Sequence, residues 1–382
     1  MATNSLTLRV PLDLEKTCAA ELRALGGGIG KTRTEPGVVY FEGPADAAMR
    51  ANLHLRCADR VLHPLGAGEA LSFHTLRLRM AELPWERFLP PGSDVRFSVS
   101  AMACKLYHTG AVEDALREGL EGRGIRIAPE SDEFPLWIDA RGTKDWWTLS
   151  IDTSGRGLTR RGYRKATAKA PIRETLAAAV LRAAGYDGTV PLLDPMCGSG
   201  TFVIEGAWMA SGRASGLGRT FAFERFPSFD KDRWGVLKEK AQADVRTEGL
   251  PSIEGRDSSG GAITACLGNA ARARVKHITS FSRGKVAELE AREGKGLIVV
   301  NPPYGQRLED DEYCTERVPV SPKMERSYKA WGAQLRAAAP GWDIAVVSPS
   351  NELAAAFGAG SRPKLRFRNG GLSVGLWLIQ GS

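Results

Sequence analysis

Leu192-Leu-Asp-Pro-Met-Cys-Gly-Ser-Gly-Thr-Phe-Val-Ile-Glu205 decides the fold. A short apolar run ends in Asp194, a glycine-bearing turn follows, and helix-spaced apolar residues run from Thr201 to Met209. This is a buried strand, a tight turn and a helix. Gly198 and Gly200 carry no Cβ, so the backbone can approach a ligand closely. The following helix offers free N–H groups to an anionic group. Asp194, at the strand end, suits a cationic one. The full G-x-G-x-x-G is missing, which disfavours a nicotinamide or flavin dinucleotide. No G-x4-G-K-[ST] is present either, which disfavours an NTPase loop.

Working outward, strands and helices alternate on both sides of this turn. Ile172 to Ala184 is Ala-rich and helical. Ser252 to Asp257 holds the next strand, and Ala262 to Ala273 the next helix. Leu297 to Val300 is an apolar strand, and Trp342 to Ser348 and Val374 to Ile379 supply later ones. Such alternation predicts a doubly wound α/β sheet that binds ligands at the carboxyl ends of its strands. Two of those ends carry polar groups. Asp257 ends the second strand, where an acid binds ribose hydroxyls; it also precedes a helix, where an acid serves as N-cap. Both readings stand. Asn301-Pro-Pro-Tyr304 ends the apolar strand. Asn301 brings a side-chain acceptor and donor, Pro302 and Pro303 stiffen the exit and bring carbonyls without N–H donors, and Tyr304 brings a flat ring. Together they can hold a planar exocyclic amine between acceptors while its ring stacks.

Before this region the pattern is α+β. Strands are expected at Leu6–Val10, Gly37–Phe41, Asp94–Ser100, 136–140 and Trp146–Ile151, and helices at Asp13–Leu25, Ala45–Ala58 and Thr109–Leu120. The expected division is residues 1–155, a basic linker at 156–170, and the doubly wound domain at 171–382.

Composition narrows the class. The 382 residues are 43% hydrophobic and 25% charged, ordinary for a globular chain and too apolar for a disordered one. No apolar run is long enough to span a bilayer, and the N-terminus lacks the pattern of a secretory signal. The six cysteines and five histidines form no metal-ligand spacing, so no metal and reduced cytosolic thiols are expected. Of the net charge of +8, much sits in two acid-free clusters. One runs from Arg156 through Arg160, Arg161, Arg164, Lys165 and Lys169 to Arg173; the other is Arg362, Lys364, Arg366 and Arg368. Such patches suit a polyanion.

The turn at 194–201 with Asn301-Pro-Pro-Tyr-Gly305 resembles a class I S-adenosylmethionine-dependent methyltransferase acting on a nucleobase amine. Arg161-Gly-Tyr-Arg164, Ala170-Pro-Ile-Arg-Glu-Thr-Leu-Ala177, Gly37 to Gly43, Arg50 to Arg60 and Lys105-Leu-Tyr-His-Thr-Gly110 narrow the likeness. They resemble the THUMP-containing 23S rRNA guanine-N2 methyltransferases, over nearly the whole chain. The resemblance implies a ferredoxin-like/THUMP region before a Rossmann-like methyltransferase domain, a cytoplasmic enzyme, and 23S rRNA or a ribosome precursor as partner.

By the same resemblance, Asp194, Pro195, Met196, Cys197, Gly198, Ser199, Gly200 and Thr201 would hold the methionine part of S-adenosylmethionine. Asp257 would take the ribose, Ser258 would lie beside the adenine, and Asn301 would border the cofactor. Asn301, Pro302, Pro303 and Tyr304 would position the guanine. Lys105, Tyr107, His108, Arg160, Arg161, Arg164 and Lys165 would contact RNA. Lys285 stands where many relatives carry an acid for the adenine amine, and lysine cannot accept that bond. Some relatives continue into a second methyltransferase; here one activity is expected. Rival readings are a tRNA guanine-N2 methyltransferase, a DNA adenine-N6 methyltransferase, and a non-catalytic RNA-binding assembly factor.

Overall fold

The computed structural model describes residues 4–129, 134–165, 172–304, 319–369 and 372–382. Its first half contains β1 (Asn4–Arg9), α1 (Glu15–Ala24), β2 (Thr32–Glu35), β3 (Val38–Gly43), α2 (Ala47–His54), β4 (Arg60–Glu69), α3 (Phe73–Ala81), β5 (Asp94–Met102), α4 (Thr109–Glu118), β6 (Arg126–Ile127), β7 (Leu136–Thr143) and β8 (Trp146–Asp152). The strands form one eight-stranded sheet in the order β2-β3-β1-β4-β8-β7-β5-β6.

The long central strand β4 is the main departure from the sequence expectation. Pro64, Gly66 and Gly68 argue against a strand there. The register shifts between Pro64 and Gly66, so the proline sits at an irregularity. A Cβ on Gly66 would meet Leu83 at 2.6 Å, and one on Gly68 would meet the Arg79 guanidinium. The glycines therefore make room for the α3 segment. The helix expected to reach Ala58 stops at His54, because the next residues turn into the domain interface described below.

The second half contains α5 (Glu174–Ala183), β9 (Leu192–Asp194), α6 (Thr201–Ala210), α7 (Lys231–Ala243), β10 (Ile253–Asp257), α8 (Gly260–Arg272), β11 (Ser280–Arg283), β12 (Leu297–Val300), α9 (Pro322–Ala338), β13 (Asp343–Ser348), α10 (Asn351–Phe357), β14 (Leu365–Asn369) and β15 (Leu372–Ile379). The order is β11-β10-β9-β12-β13-β15-β14. Strands β11 to β13 pair in parallel, and β15 runs antiparallel between β13 and β14. This is the expected doubly wound sheet. Its β9 and β12 are buried on both faces, as central parallel strands are.

The two halves are joined by buried charge. Glu21 on α1 accepts the backbone N–H groups of Arg56 and Cys57, each at 2.9 Å, and meets Arg182 of α5 at 3.2 Å. The Arg56 guanidinium donates to the carbonyls of Trp208 (3.1 Å) and Arg213 (2.5 Å) across the interface. Arg161 donates to the carbonyls of Leu158 and Arg56. Its Nε lies 3.5 Å from Glu205 of α6, whose carboxylate also accepts the Tyr163 hydroxyl at 3.1 Å. Burial pushes the Glu205 carboxyl up, with Arg161 and Arg56 opposing.

This corrects the expectation for Arg161. It is an interior residue of the interface, and no face of its guanidinium is left for a phosphate. Arg164 is likewise engaged, donating to the Ile172 carbonyl (2.9 Å) and to Glu174 (2.5 Å). Residues 156–165 thus pack as an interface strap, and Lys169 and Ala170 lie outside the described residues.

Removing one member of a buried charged group costs more than the group contributes. Glu205→Ala should therefore destabilise the folded chain by about 3–5 kcal/mol, read from urea unfolding followed by tryptophan fluorescence. Glu205→Gln keeps an acceptor for Tyr163 and should cost less. Equal, small losses for both would remove the charge argument.

Candidate active site at the strand reversal

Strand order reverses between β9 and β12, so their crossovers leave in opposite directions and open a crevice at the carboxyl ends. The register says what meets there. Asp194 pairs with Gly255, and Leu193 with Ile298. Asp257 and Asn301 therefore each stand two residues beyond the level of Asp194, on its two neighbouring strands. Two strand spacings put those strands about 9–10 Å apart.

The turn from 194 to 201 is stapled from both sides. Gly198 N–H donates to Asp257 Oδ2 (2.9 Å), and Ser259 N–H to the other oxygen (2.9 Å). Cys197 N–H donates to the Arg256 carbonyl at 3.0 Å. From α8, Asn269 Nδ2 donates to the Ser199 carbonyl (3.0 Å), and the Cys266 thiol to the Gly198 carbonyl (3.1 Å). Gly200 has φ +84, and a Cβ there would press on Cys266 and Phe281 at 3.1 and 3.3 Å. Its glycine is required twice, by backbone sign and by space. The N-cap of α8 is Ser259, not Asp257; Asp257 instead braces the cofactor-type turn.

Asp194 is buried, and among the described residues its side chain has one hydrogen-bond partner, the Met196 N–H at 3.1 Å. Burial pushes its carboxyl up to about 8, and the neighbouring Asp257 charge adds to that. A buried carboxyl without a cation fits a positively charged ligand group. The Cys197 thiol faces Cys266 at 3.6 Å, and its bond to Cys266 together with burial pushes it well up. It is a neutral thiol, consistent with packing rather than nucleophilic attack.

At the third strand end, the Asn301 Oδ1 atom is buried and has no hydrogen-bond partner among the described residues. An orphaned acceptor costs free energy, so its placement beside the crevice implicates a donor from a ligand. Pro302 follows, itself buried, and Pro303 is exposed. Tyr304, expected to offer an open ring face, is only 8% exposed and lies close to buried Tyr328. Stacking on a base would require its ring to be uncovered. Gly305 lies outside the described residues.

Beyond Asp257, Gly284 N–H donates to the Asp257 carbonyl and Arg283 Nε to the Ser258 carbonyl, at 3.0 and 3.1 Å. Lys285 is exposed. Its backbone N–H donates to Glu288 at 2.9 Å, and Glu288 lies 3.5 Å from Arg256. A carboxylate is thus present on this side, though not at the position expected.

The nominated RNA contacts lie elsewhere. Lys105, Tyr107 and His108 are exposed between β5 and α4, with the Tyr107 and His108 rings 4.1 Å apart. Asp145 accepts the Lys105 N–H at 2.6 Å, which brings the β7–β8 turn alongside. That turn, with Lys144 and Asp145 both at positive φ, presents Trp146, 56% exposed, and Met102 stands near it on β5. Neither Trp146 nor Met102 is among the residues singled out in the sequence; a Lys-Asp pair flanked by strand residues is the local signal of this turn. Arg160 and Lys165 are exposed. Among the described residues no group of His, Cys, Asp and Glu could hold a metal ion, and no helix is long and apolar enough to cross a membrane.

Comparison with known proteins adds the family. Residues 161–373 match the model described as RMKL-like, methyltransferase domain, and residues 5–62 match the RlmL ferredoxin-like domain. The chain is 35% identical over 387 residues to the ribosomal RNA large subunit methyltransferase K/L of Cellvibrio japonicus (strain Ueda107), covering 97% of this chain and 50% of that protein. It spans about half the length of the curated relatives it matches. Among solved structures it is similar to a possible methylase from Clostridium difficile 630, with a TM-score of 0.86 and 29% identity, over 100% of this chain and 99% of that one. It is also similar to SMU.472, crystallised with SAH, with a TM-score of 0.85 and 26% identity, over 100% and 99%. With the reversal, the stapled turn and the polar strand ends matched over more than half its length by one family model, this chain belongs to the RMKL-like methyltransferase domain family.

Proposed function

We propose that this chain transfers a methyl group from S-adenosylmethionine to the exocyclic N2 amine of a guanine in 23S rRNA, free or within a ribosome precursor. The observation that carries this reading is the buried, unpartnered Asn301 oxygen at the crevice where Asp194 and Asp257 also end. The rRNA substrate is supported by the relatives named ribosomal RNA large subunit methyltransferase K/L. Such a substrate places the enzyme in the cytoplasm.

S-adenosylmethionine, when bound, supplies a methyl already activated by its sulfonium. Asp194 offers a carboxyl to the cationic part of that group, the 194–201 backbone lines its methionine portion, and Asp257 offers its carboxylate edge to the ribose. Ser258 would lie beside the adenine, and Lys285 could not supply an acceptor to the adenine amine. The guanine amine is a poor nucleophile because its lone pair is delocalised into the ring. Asn301 Oδ1 and the Pro302 carbonyl accept its two hydrogens, which favours a pyramidal nitrogen with its lone pair turned to the methyl. Fixed acceptors also stabilise the positive charge that grows on nitrogen. Positioning then supplies most of the rate.

The N-terminal half, residues 1–155 with its ferredoxin-like and THUMP region, presents RNA to this site. Lys105, Lys144, Tyr107, His108 and Trp146 combine charge with stackable rings on one end of its sheet, a composition suited to single-stranded RNA. Arg160 and Lys165 remain available for phosphates.

The direct test is methyl transfer from labelled S-adenosylmethionine to unmodified 23S rRNA, 16S rRNA, tRNA and duplex DNA, assayed separately. Label recovered as N2-methylguanosine from 23S rRNA supports the proposal. Label in tRNA moves the substrate, and label in DNA adenine overturns the base assignment. Asn301→Ala should lower kcat by about 100-fold or more while cofactor binding stays largely intact; near-normal turnover would remove Asn301 from the chemistry.

Asp194 gives a pH test with a definite sign. With its carboxyl near 8 in the free protein, it holds a proton at neutral pH. Pairing with a cation requires that proton to leave, so cofactor affinity should rise as pH climbs toward 8, by up to about tenfold per unit, and then level. Folding stability moves the other way. The unfolded carboxyl titrates near 3.8, so the folded state binds the extra proton between there and about 8, and stability falls as pH rises through that window. Asp194→Asn should melt higher than the parent at pH 8 and bind cofactor weakly with no pH slope. Calorimetric titration and thermal melts at several pH values check both; a parent-like affinity and slope would exclude Asp194.

A further inference from the structure

The second acid-free cluster falls on the far edge of the doubly wound sheet. Just before β14 and along it, Lys364, Arg366 and Arg368 are exposed and alternate with partly or fully buried Leu365, Phe367 and Asn369. Alternation puts the three cations on one face of an edge strand, about 6.7 Å apart, with exposed Arg362 just before them. Gly375 lies opposite Arg366, and the Trp377 ring of β15 fills the space a Cβ there would take, while Arg366 itself stays exposed. Among the described residues the stripe meets no carboxylate; Arg366 Nη2 donates to the neutral Asn351 Oδ1 at 3.0 Å.

The register relates this stripe to the crevice. Val300 pairs with Val346, and Val346 with Trp377. The Lys364 N–H donates to the Leu376 carbonyl, and Arg366 pairs with Gly375, which places Lys364 at the level of Val300. Asn301 is one step further on. Arg366 and Arg368 therefore stand level with, or beyond, the catalytic end of the sheet. They lie three strand spacings to the side, about 14 Å. A nucleic acid whose base enters beside Asn301 runs its flanking backbone over this distance within a few nucleotides.

We propose that Lys364, Arg366 and Arg368 form a phosphate-binding rail that holds the RNA backbone beside the extruded base. The inference rests on the methyltransferase reading above, and it assigns the rail to the catalytic half rather than to the N-terminal sheet. Charges on an edge strand also keep it from pairing with other chains. The two roles separate under charge reversal, because glutamate still guards an edge but repels phosphate.

The test compares the parent with an Arg366→Glu/Arg368→Glu variant and with a Lys364→Gln/Arg366→Gln/Arg368→Gln variant, using full-length unmodified 23S rRNA. Both should raise the KM for RNA about tenfold or more while kcat at saturating RNA and cofactor affinity hold. The slope of log Kd against log salt should fall by about 2 for the triple variant, at about 0.7 per lost contact. A charge-retaining Lys364→Arg/Arg366→Lys/Arg368→Lys variant should bind as the parent does. A monomeric Glu variant with parent-like KM and salt slope overturns the rail. If the glutamine variant aggregates, the Glu variant carries the decision. A parent that methylates no RNA at all is a failure of the functional reading, and is seen before any variant is made.

Discussion

Strands β9 and β12 are buried on both faces, and that constraint shapes everything chemical in the molecule. Leu192, Leu193 and Leu297 to Val300 have no room for a polar side chain along their length. An unpaired polar atom there would bear its full desolvation cost. Polar groups are therefore confined to the strand ends, and the reversal of order beside β9 opens those ends to a ligand. Asp194 and Asn301 are the first polar residues at the ends of this apolar block, and Asp257 of the neighbouring β10 stands at the same end. Their convergence follows from parallel pairing in register.

A second constraint fixes how the two halves sit together. Arg56 from the N-terminal half reaches the carbonyls of Trp208 and Arg213, and the strap residue Arg161 reaches back to the Arg56 carbonyl. Gly216 approaches the Asn52 and Leu53 backbone so closely that a Cβ would fall 2.6 Å from a carbonyl. Ser215 donates to the Leu55 carbonyl, and Arg233 pairs with Asp46. Backbone carbonyls satisfied across the interface tie the two sheets into one frame. The aromatic, basic end of the first sheet and the crevice of the second then keep a set relation, which an RNA of the kind proposed would have to fit at both places. In such a frame binding energy gained far from the reacting base can serve its positioning.

Much of this was legible in the residues because short apolar strands and glycine turns carry strong local signals. The 192–205 stretch announces its strand, turn and helix, and Asn301-Pro-Pro-Tyr304 announces a strand end with chemistry. Local pattern fails where tertiary packing overrides it. Strand β4 is hidden by Pro64 and two glycines that exist to admit the α3 segment. Edge strand β2 reads as polar Thr-Arg-Thr-Glu, and helix α7 buries mainly Trp234 and Ala241, too little for an apolar stripe. The strap shows the same limit for function. Charge and position alike suggest a phosphate contact at Arg161, and only the three-dimensional neighbours turn it into a buried interface residue. Asp257 shows the converse, since its bracing of Gly198 depends on a contact between residues far apart in sequence.

The site also explains why a costly carboxyl is retained. Asp194 is held neutral by burial rather than paired, so in the free protein it contributes strain in place of stability at neutral pH. The surrounding turn does not rely on it: Asp257, Arg256, Asn269 and Cys266 hold the loop through other atoms. A loop fixed independently of its most expensive group can leave that group free for a ligand. The same division recurs at Asn301, whose oxygen has no partner among the described residues while Pro302 and Pro303 stiffen the backbone beside it. On the proposed reading, a rigid backbone with fixed acceptors would favour the amine most as positive charge grows on its nitrogen, and so would act on the transfer step itself.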